Sequence, residues 1–292
     1  MDILRNVILF WLIRKFVKDG NDMNNILCVD LEDWYNANLA CGIDKSCQES
    51  RVVDNTKILL DIFKNAHVHC TFFVLGSVAE KFPELIMRIK SEGHEIASHG
   101  YAHQLIYTQT KEEFREDIQK SKKILEKIIN YPVESYRAPS WSIREDSFWA
   151  LEVLQEEGFK NDSSIFPFKN FLYGVSNAPR FIYSSKRYNS NSNLKEFPPS
   201  TIRFMGINIP FSGGFYFRFL PFWFISKCIK INNKKGHECI LYIHPWEIDS
   251  NTPRIKLPLK NRFIQYWGIK NCKNKLIKLV HSFNFVPMYE KY

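Results

Sequence analysis

Val68-His69-Cys70-Thr71-Phe72-Phe73-Val74-Leu75 and, one helical run later, Gly93-His94-Glu95-Ile96-Ala97-Ser98-His99 decide the fold of this chain. The first segment is β-branched and aromatic enough for a buried strand. Val78, Phe82, Leu85, Ile86 and Ile89 then recur at helical spacing, which predicts one amphipathic helix stopping at Gly93. Residues 95–98 read as a second strand that delivers His99. Strand, helix and strand in this order make a parallel βαβ unit.

The same alternation extends in both directions. Residues 26–30 form an apolar run ending in acids, the first strand, and Val53, Leu59, Leu60 and Phe63 mark the helix after it. Phe114, Ile118, Leu125 and Ile129 predict a helix over 111–130, followed by a strand at 133–136. Asp146 is placed to cap a helix carrying Phe148, Leu151 and Leu154 that stops at Gly158. Residues 238–243 read as a late strand, and Leu276, Leu279, Val280 and Phe283 mark the last helix. Right-handed crossovers close such units into a barrel whose chemistry collects at the strands' carboxyl ends. Asp30, His99, Arg137, Asp162 and His244 all fall there. Residues 181–210 break the alternation as a β-rich insertion, and the aromatic segment from Phe215 to Phe224 reads as core packing.

With 292 residues, 45% of them hydrophobic, the chain can bury a full core, and no Pro/Gly/Ser-rich linker divides it. The expected organisation is an N-terminal extension, residues 1–22, of undefined role, then a single domain over 23–292 with a C-terminal elaboration at about 181–292. The net charge of +9 comes from Lys scattered among Asn and Ile, which predicts a solvated basic surface rather than a nucleic-acid-binding stripe. Seven Cys without a CxxC pair point to a reducing, cytoplasmic setting. The apolar run at 7–13 is too short to span a bilayer and poorly flanked for a signal peptide. It reads as an amphipathic lead-in making weak peripheral membrane contact, or as an extension upstream of an internal start at Met23.

Several polar islands each follow an apolar run. His99 and His103 are four residues apart, Asp30, Glu32 and Asp33 end the first strand, and His244 ends a late one. These are the parts of a one-metal hydrolytic site, which needs neutral nitrogen ligands, a carboxylate and a position open to water. His94, His67 and His69 read as structural.

Six segments carry a family resemblance: residues 29–34, 70–76, 93–103, 136–140, 162–167 and 242–249. They resemble the polysaccharide deacetylases of the NodB-homology type, carbohydrate esterase family 4. Within these, the match is to the branch found with bacterial exopolysaccharide and exosortase gene clusters. The resemblance runs from about residue 26 to 288. It implies a distorted, incomplete (β/α) barrel with about seven parallel strands plus a C-terminal elaboration. It also implies a hydrolase that removes N-acetyl groups from amino-sugar units of a bacterial polysaccharide or its precursor, with one divalent metal ion. Zinc is the first expectation, with cobalt or nickel as substitutes.

On that resemblance His99 and His103 are metal ligands. The family carries two adjacent Asp as base and ligand, whereas this chain has Asp-x-Glu-Asp. Asp30 is the expected base, and the carboxylate ligand stays open between Glu32 and Asp33. Gly100 stands where the family often has Ser or Thr. Arg137, with Pro139, matches a motif that holds the base by a charge-assisted fork. Trp141 walls the sugar groove. Asp162 either hydrogen-bonds the late His or caps the loop at Ser163 and Ser164. His244 protonates the leaving amine, and Leu241 and Trp246 shelter the acetyl methyl. The competing readings are an amidase for a small cyclic imide or allantoin-like substrate, and a non-catalytic carbohydrate-binding protein. The expected partner is an N-acetylated oligo- or polysaccharide and not a nucleic acid.

Overall fold

The computed structural model describes residues 23–36 and 49–291. The N-terminal extension with its apolar run, and Cys41 and Cys47, lie outside the described residues. The strands are β1 (Asn24–Leu31), β2 (Thr71–Val74), β3 (Glu95–Ser98), β4 (Ser135–Tyr136), β5 (Asn161–Asp162), β6 (Tyr183–Ser184), β7 (Lys195–Glu196), β8 (Thr201–Phe204), β9 (Ile207–Pro210), β10 (Ile240–Ile243) and β11 (Asn284–Val286). Nine of them make one sheet in the order β10-β1-β2-β3-β4-β5-β7-β6, with β11 also paired to β1. Every pairing from β10 through to β7 is parallel, so seven parallel strands form the curved wall of an incomplete barrel, as expected. Only β6 runs antiparallel, against β7.

Residues 181–210 are β-rich as expected, but the stretch divides. β7 continues the barrel beside β5, whereas β8 and β9 form a separate hairpin. Its two-residue turn, Met205-Gly206, has positive φ at both positions (48° and 82°), the geometry that matches strand twist.

Period-2 alternation divides the apolar residues into two layers. Leu27, Val29, Leu31, Leu241 and Ile243 pack outward against the helices, in the larger cluster with Phe63, Phe72 and Leu276. Ile26, Cys28, Phe73, Ile240 and Tyr242 face inward, with Trp141 and Phe166.

The helix expected over the run from Val78 to Ile89 is two: α2 (Gly76–Lys81) and α3 (Pro83–Ser91), following α1 (Val52–Ala66). The break falls at Phe82 (φ −133°, ψ 60°), because Pro83 excludes its predecessor from the helical region and itself suits the first position of α3. α4 (Lys111–Ile129) starts with a Thr110/Glu113 capping box and ends at Asn130 in the left-handed conformation. α5 (Trp149–Glu156) has no side-chain cap. Asp146, the expected cap, is occupied by the Arg144 guanidinium at 2.8–3.1 Å.

The aromatic segment lies on α6 (Gly214–Phe219) and α7 (Phe222–Lys234). Phe217 is buried as expected, but Phe219 and Trp223 are 49% and 67% exposed. Each of these helices buries one face only, so aromatics spread around both cannot all reach the core. α8 (Leu259–Tyr266) and α9 (Ile269–Ser282) complete the chain. Among the described residues no helix is long and apolar enough to cross a membrane.

Candidate active site

A cavity of about 420 Å³ opens at the carboxyl ends of the strands, and Asp30, Glu32, His99, His103, Trp141 and His244 are among its lining residues. β1 carries Asp30 and leads into Glu32 one residue past its end, β3 leads into His99, and β10 leads into His244. His103 closes the short loop after β3 with a left-handed backbone (φ 57°). That loop is braced by Asp117 of α4, whose carboxylate accepts from the backbone N–H of Tyr101 (2.7 Å) and of Ala102 (3.1 Å). Gly100 (φ 73°) lies against the same carboxylate, where an added Cβ would meet Oδ2 at 2.7 Å. A carboxylate from a helix thus braces the loop in which Gly100 stands where the family often has Ser or Thr.

Glu32, His99 and His103 offer ligand atoms all within 4.8 Å of one another, each on a buried side chain. His103 Nε2 lies 2.7 Å from Glu32 Oε2, yet that oxygen and His103 Nδ1 complete no well-directed hydrogen bond. Two buried polar atoms left this way suit a site that a cation completes. The Arg137 carbonyl can only accept, so His99 must donate Nδ1–H to it (2.7 Å), leaving Nε2 with its lone pair toward the cluster. Burial lowers the His99 pKa to about 4, so the ring is neutral at neutral pH. Burial opposes the charge on Glu32, but the His103 imidazole outweighs it and brings the carboxyl down to about 2. Trp246 Nε1 donates to the other Glu32 oxygen at 3.3 Å. Asp33 lies apart. It accepts from the backbone N–H of Trp34 and Arg51, both at 3.1 Å, and so ties the exit of β1 to the start of α1. Of the two carboxylates, Glu32 is the one that lies beside the imidazoles.

Asp30 and Arg137 form a buried ion pair, Nη1 donating to Oδ1 at 2.6 Å. The other Asp30 oxygen faces His244 Nε2 at 3.8 Å, and Glu32 Oε1 is 3.7 Å from the same nitrogen. Asp162 does not hold His244. It accepts from the Ser164 hydroxyl and sits in register beside Glu196, where burial raises both carboxyls. The partner of His244 is Glu247, unassigned from sequence. Its Oε2 accepts from His244 Nδ1 (2.9 Å) and from the His244 backbone N–H (3.0 Å). Its Oε1 accepts from Arg218 Nε at 2.6 Å, and Arg218 is itself buried and donates to the Ile264 carbonyl at 2.9 Å. Burial disfavours charge on His244, but Glu247 raises its pKa to about 9. The same ion pair holds Glu247 at about 2 against the pull of burial. A Glu three residues after His244, in a turn begun by Pro245, was the available sequence signal.

Two expected substrate contacts are displaced. Leu241 faces the helical layer, and Tyr242 lines the cavity instead. His244 and Tyr242 share a parity that Leu241 cannot, as the pairing of Leu27 with Leu241 requires. Pro139 is buried in a 3₁₀ turn behind the wall, and Ser140 and Trp141 line the cavity in its place. Both have left-handed backbones (φ 51° and 50°), a strained pair of roughly 1–3 kcal/mol each that aims the Trp141 ring inward. Trp141 packs against Tyr242 with centroids 4.3 Å apart, and Trp246 stacks on His244 at 5.4 Å. His94 is structural as expected, its Nδ1 accepting from the Cys70 N–H at 3.1 Å.

Comparison with known proteins agrees with this geometry. Residues 44–160 match the polysaccharide deacetylase family, and residues 163–292 match a family described as a domain of unknown function, DUF3473. A Bacillus cereus peptidoglycan-N-acetylglucosamine deacetylase is 39% identical over 98 residues, which are 33% of this chain and 36% of that protein. A Helicobacter pylori peptidoglycan deacetylase is 33% identical over 107 residues, 37% of this chain and 36% of the relative. The matched segment thus spans about a third of these relatives. In fold, the chain is similar to a Mycobacterium smegmatis crystal structure provisionally named a polysaccharide deacetylase. The TM-score is 0.56 at 18% identity, covering 92% of this chain and 90% of that one. The His99/His103 loop thus lies inside the segment, residues 44–160, that is similar to the polysaccharide deacetylase family, and the barrel fold is shared with the Mycobacterium smegmatis structure.

Proposed function

We propose that this protein is a metal-dependent hydrolase that removes N-acetyl groups from amino-sugar units of a bacterial polysaccharide or its precursor. The observation that carries the reading is the convergence, on one cavity, of a carboxylate–imidazole cluster, a carboxylate held by Arg137 and an imidazole held by Glu247. Glu32, His99 and His103 would hold the cation, and two imidazoles with one carboxylate suit zinc, with cobalt or nickel as substitutes. The cation would supply Lewis acidity to the acetamide carbonyl and acidify a water.

The chain's own groups do the rest. Asp30, aimed by Arg137, takes a proton from the attacking water. His244, charged through Glu247, gives a proton to the amine as the C–N bond breaks, so acetate and a free amino sugar leave. The Trp141 and Tyr242 rings offer faces for a pyranose, and Trp246 covers the methyl side. The Asp–Arg and His–Glu pairs favour chemistry over mere sugar binding, which needs neither. The five described cysteines are free and buried, which supports a reducing, cytoplasmic setting.

Acetate release from a panel of N-acetylated oligosaccharides, with and without chelator, tests the reading. Release should require metal and fall by about 10²–10⁴-fold in Asp30→Asn while oligosaccharide affinity persists. Turnover of a cyclic imide alone, or undiminished turnover in that variant, overturns it.

A further inference from the structure

The end of the chain segregates charge. Between Ser250 and Tyr289 the sequence has eight Lys/Arg and no Asp/Glu. Arg254, Lys256, Lys260, Arg262, Lys270 and Lys273 are exposed, and among the described residues no carboxylate pairs with any of them. The basic surplus that looks diffuse in the sequence therefore gathers around α8 and the start of α9.

Large apolar side chains stand out of the same region. Leu259 is 84% exposed, Phe171 71%, Phe219 and Trp267 49% each, and Phe263 42%. The rings are contiguous: Phe263 lies 4.9 Å from Trp267 and 6.3 Å from Phe219. Lys260 Nζ sits 5.0 Å over the Phe171 ring, and both residues reach the cavity wall, so the patch begins at the cavity mouth. A monomer in water seldom leaves such a contiguous group uncovered.

We propose that this face docks on an anionic lipid surface, with the aromatic and Leu side chains at the headgroup–acyl boundary and the cations against lipid phosphates. Charge and chemistry select this occupant. A second copy of the chain would set two unpaired cationic faces against each other. A glycan would use ring faces but gain little from Leu259. Aromatic, aliphatic and cationic side chains on one short helix and its flanks form the usual interfacial combination.

The test is co-sedimentation of the full chain with phosphatidylcholine vesicles, with and without phosphatidylglycerol. The parent should partition onto the anionic vesicles, stay largely free of the neutral ones, and be released by salt. Lys256→Gln/Arg262→Gln should weaken partitioning by about 30-fold, at roughly fivefold per cation, with an unchanged circular dichroism spectrum. Leu259→Ser, at the most exposed apolar position, should weaken it severalfold. Three results would overturn the proposal. They are failure of the parent to bind anionic vesicles at low salt, binding of the variants equal to that of the parent, and a dimeric parent that the variants dissolve.

Discussion

Glu247→Gln isolates what the His244–Glu247 pair does. The substitution keeps the shape and an acceptor for His244 but removes the charge that lifts the imidazole to about 9. Without it the ring should return to its ordinary range near 6.5, a change of about 3 kcal/mol in the balance between its two protonation states. At pH 8 the parent would be about nine-tenths protonated and the variant about 3%, so kcat should fall by about 30-fold there and recover toward pH 6. A bound cation lowers the pKa in parent and variant together, so the difference between the two curves is what matters. The assay is acetate release across pH, run below the variant's melting temperature. That control is needed because Arg218 loses its anion, and breaking a buried pair costs roughly 3–5 kcal/mol of stability. An alkaline limb at the same pH in both proteins would refute the assignment of Glu247 as the group that keeps His244 charged.

Glu32→Gln should lose most of its bound metal by elemental analysis. Asp33→Ala should keep it and lose about 1 kcal/mol of unfolding free energy, because Asp33 Oδ1 accepts from backbone N–H groups at the exit of β1 and the start of α1. The reverse pattern would reassign the ligand. Leu241→Ala should cost roughly 2–5 kcal/mol in urea unfolding as a core cavity with little change in kcat, whereas Tyr242→Ala should raise KM. Burial depresses the His94 pKa to about 4. Because the folded value lies below the unfolded one, its contribution is complete above about pH 6.5 and fades as pH falls toward 4, roughly 3 kcal/mol in all. His94→Gln, which retains an acceptor for the Cys70 N–H, should flatten urea-unfolding stability over that window. An unchanged slope would exclude His94 as its source.

Local order along the chain determined a good deal of this protein without any structure. The alternation of β-type runs with helical spacing dictated a parallel barrel, because strands joined by helices on one hand have few other ways to bury both faces. The position of Asp30, His99, Arg137 and His244 just after such runs placed them at one end of it. Even the error at Leu241 was avoidable, since counting back by two from His244 reaches Tyr242. The break at Phe82 was likewise written in Pro83.

Tertiary structure alone decided the partners. Whether Glu32 or Asp33 joins the imidazoles depends on how the chain turns after β1, where strand parity no longer constrains it. Glu247 holds His244 in place of Asp162 because the turn at Pro245 folds back on itself, and Arg218 reaches that carboxylate from 29 residues away. Asp117 braces the loop of His99 from a helix that sequence reading could only treat as packing. Such pairings follow from distances across the barrel, which depend on how the whole core closes and on no local pattern.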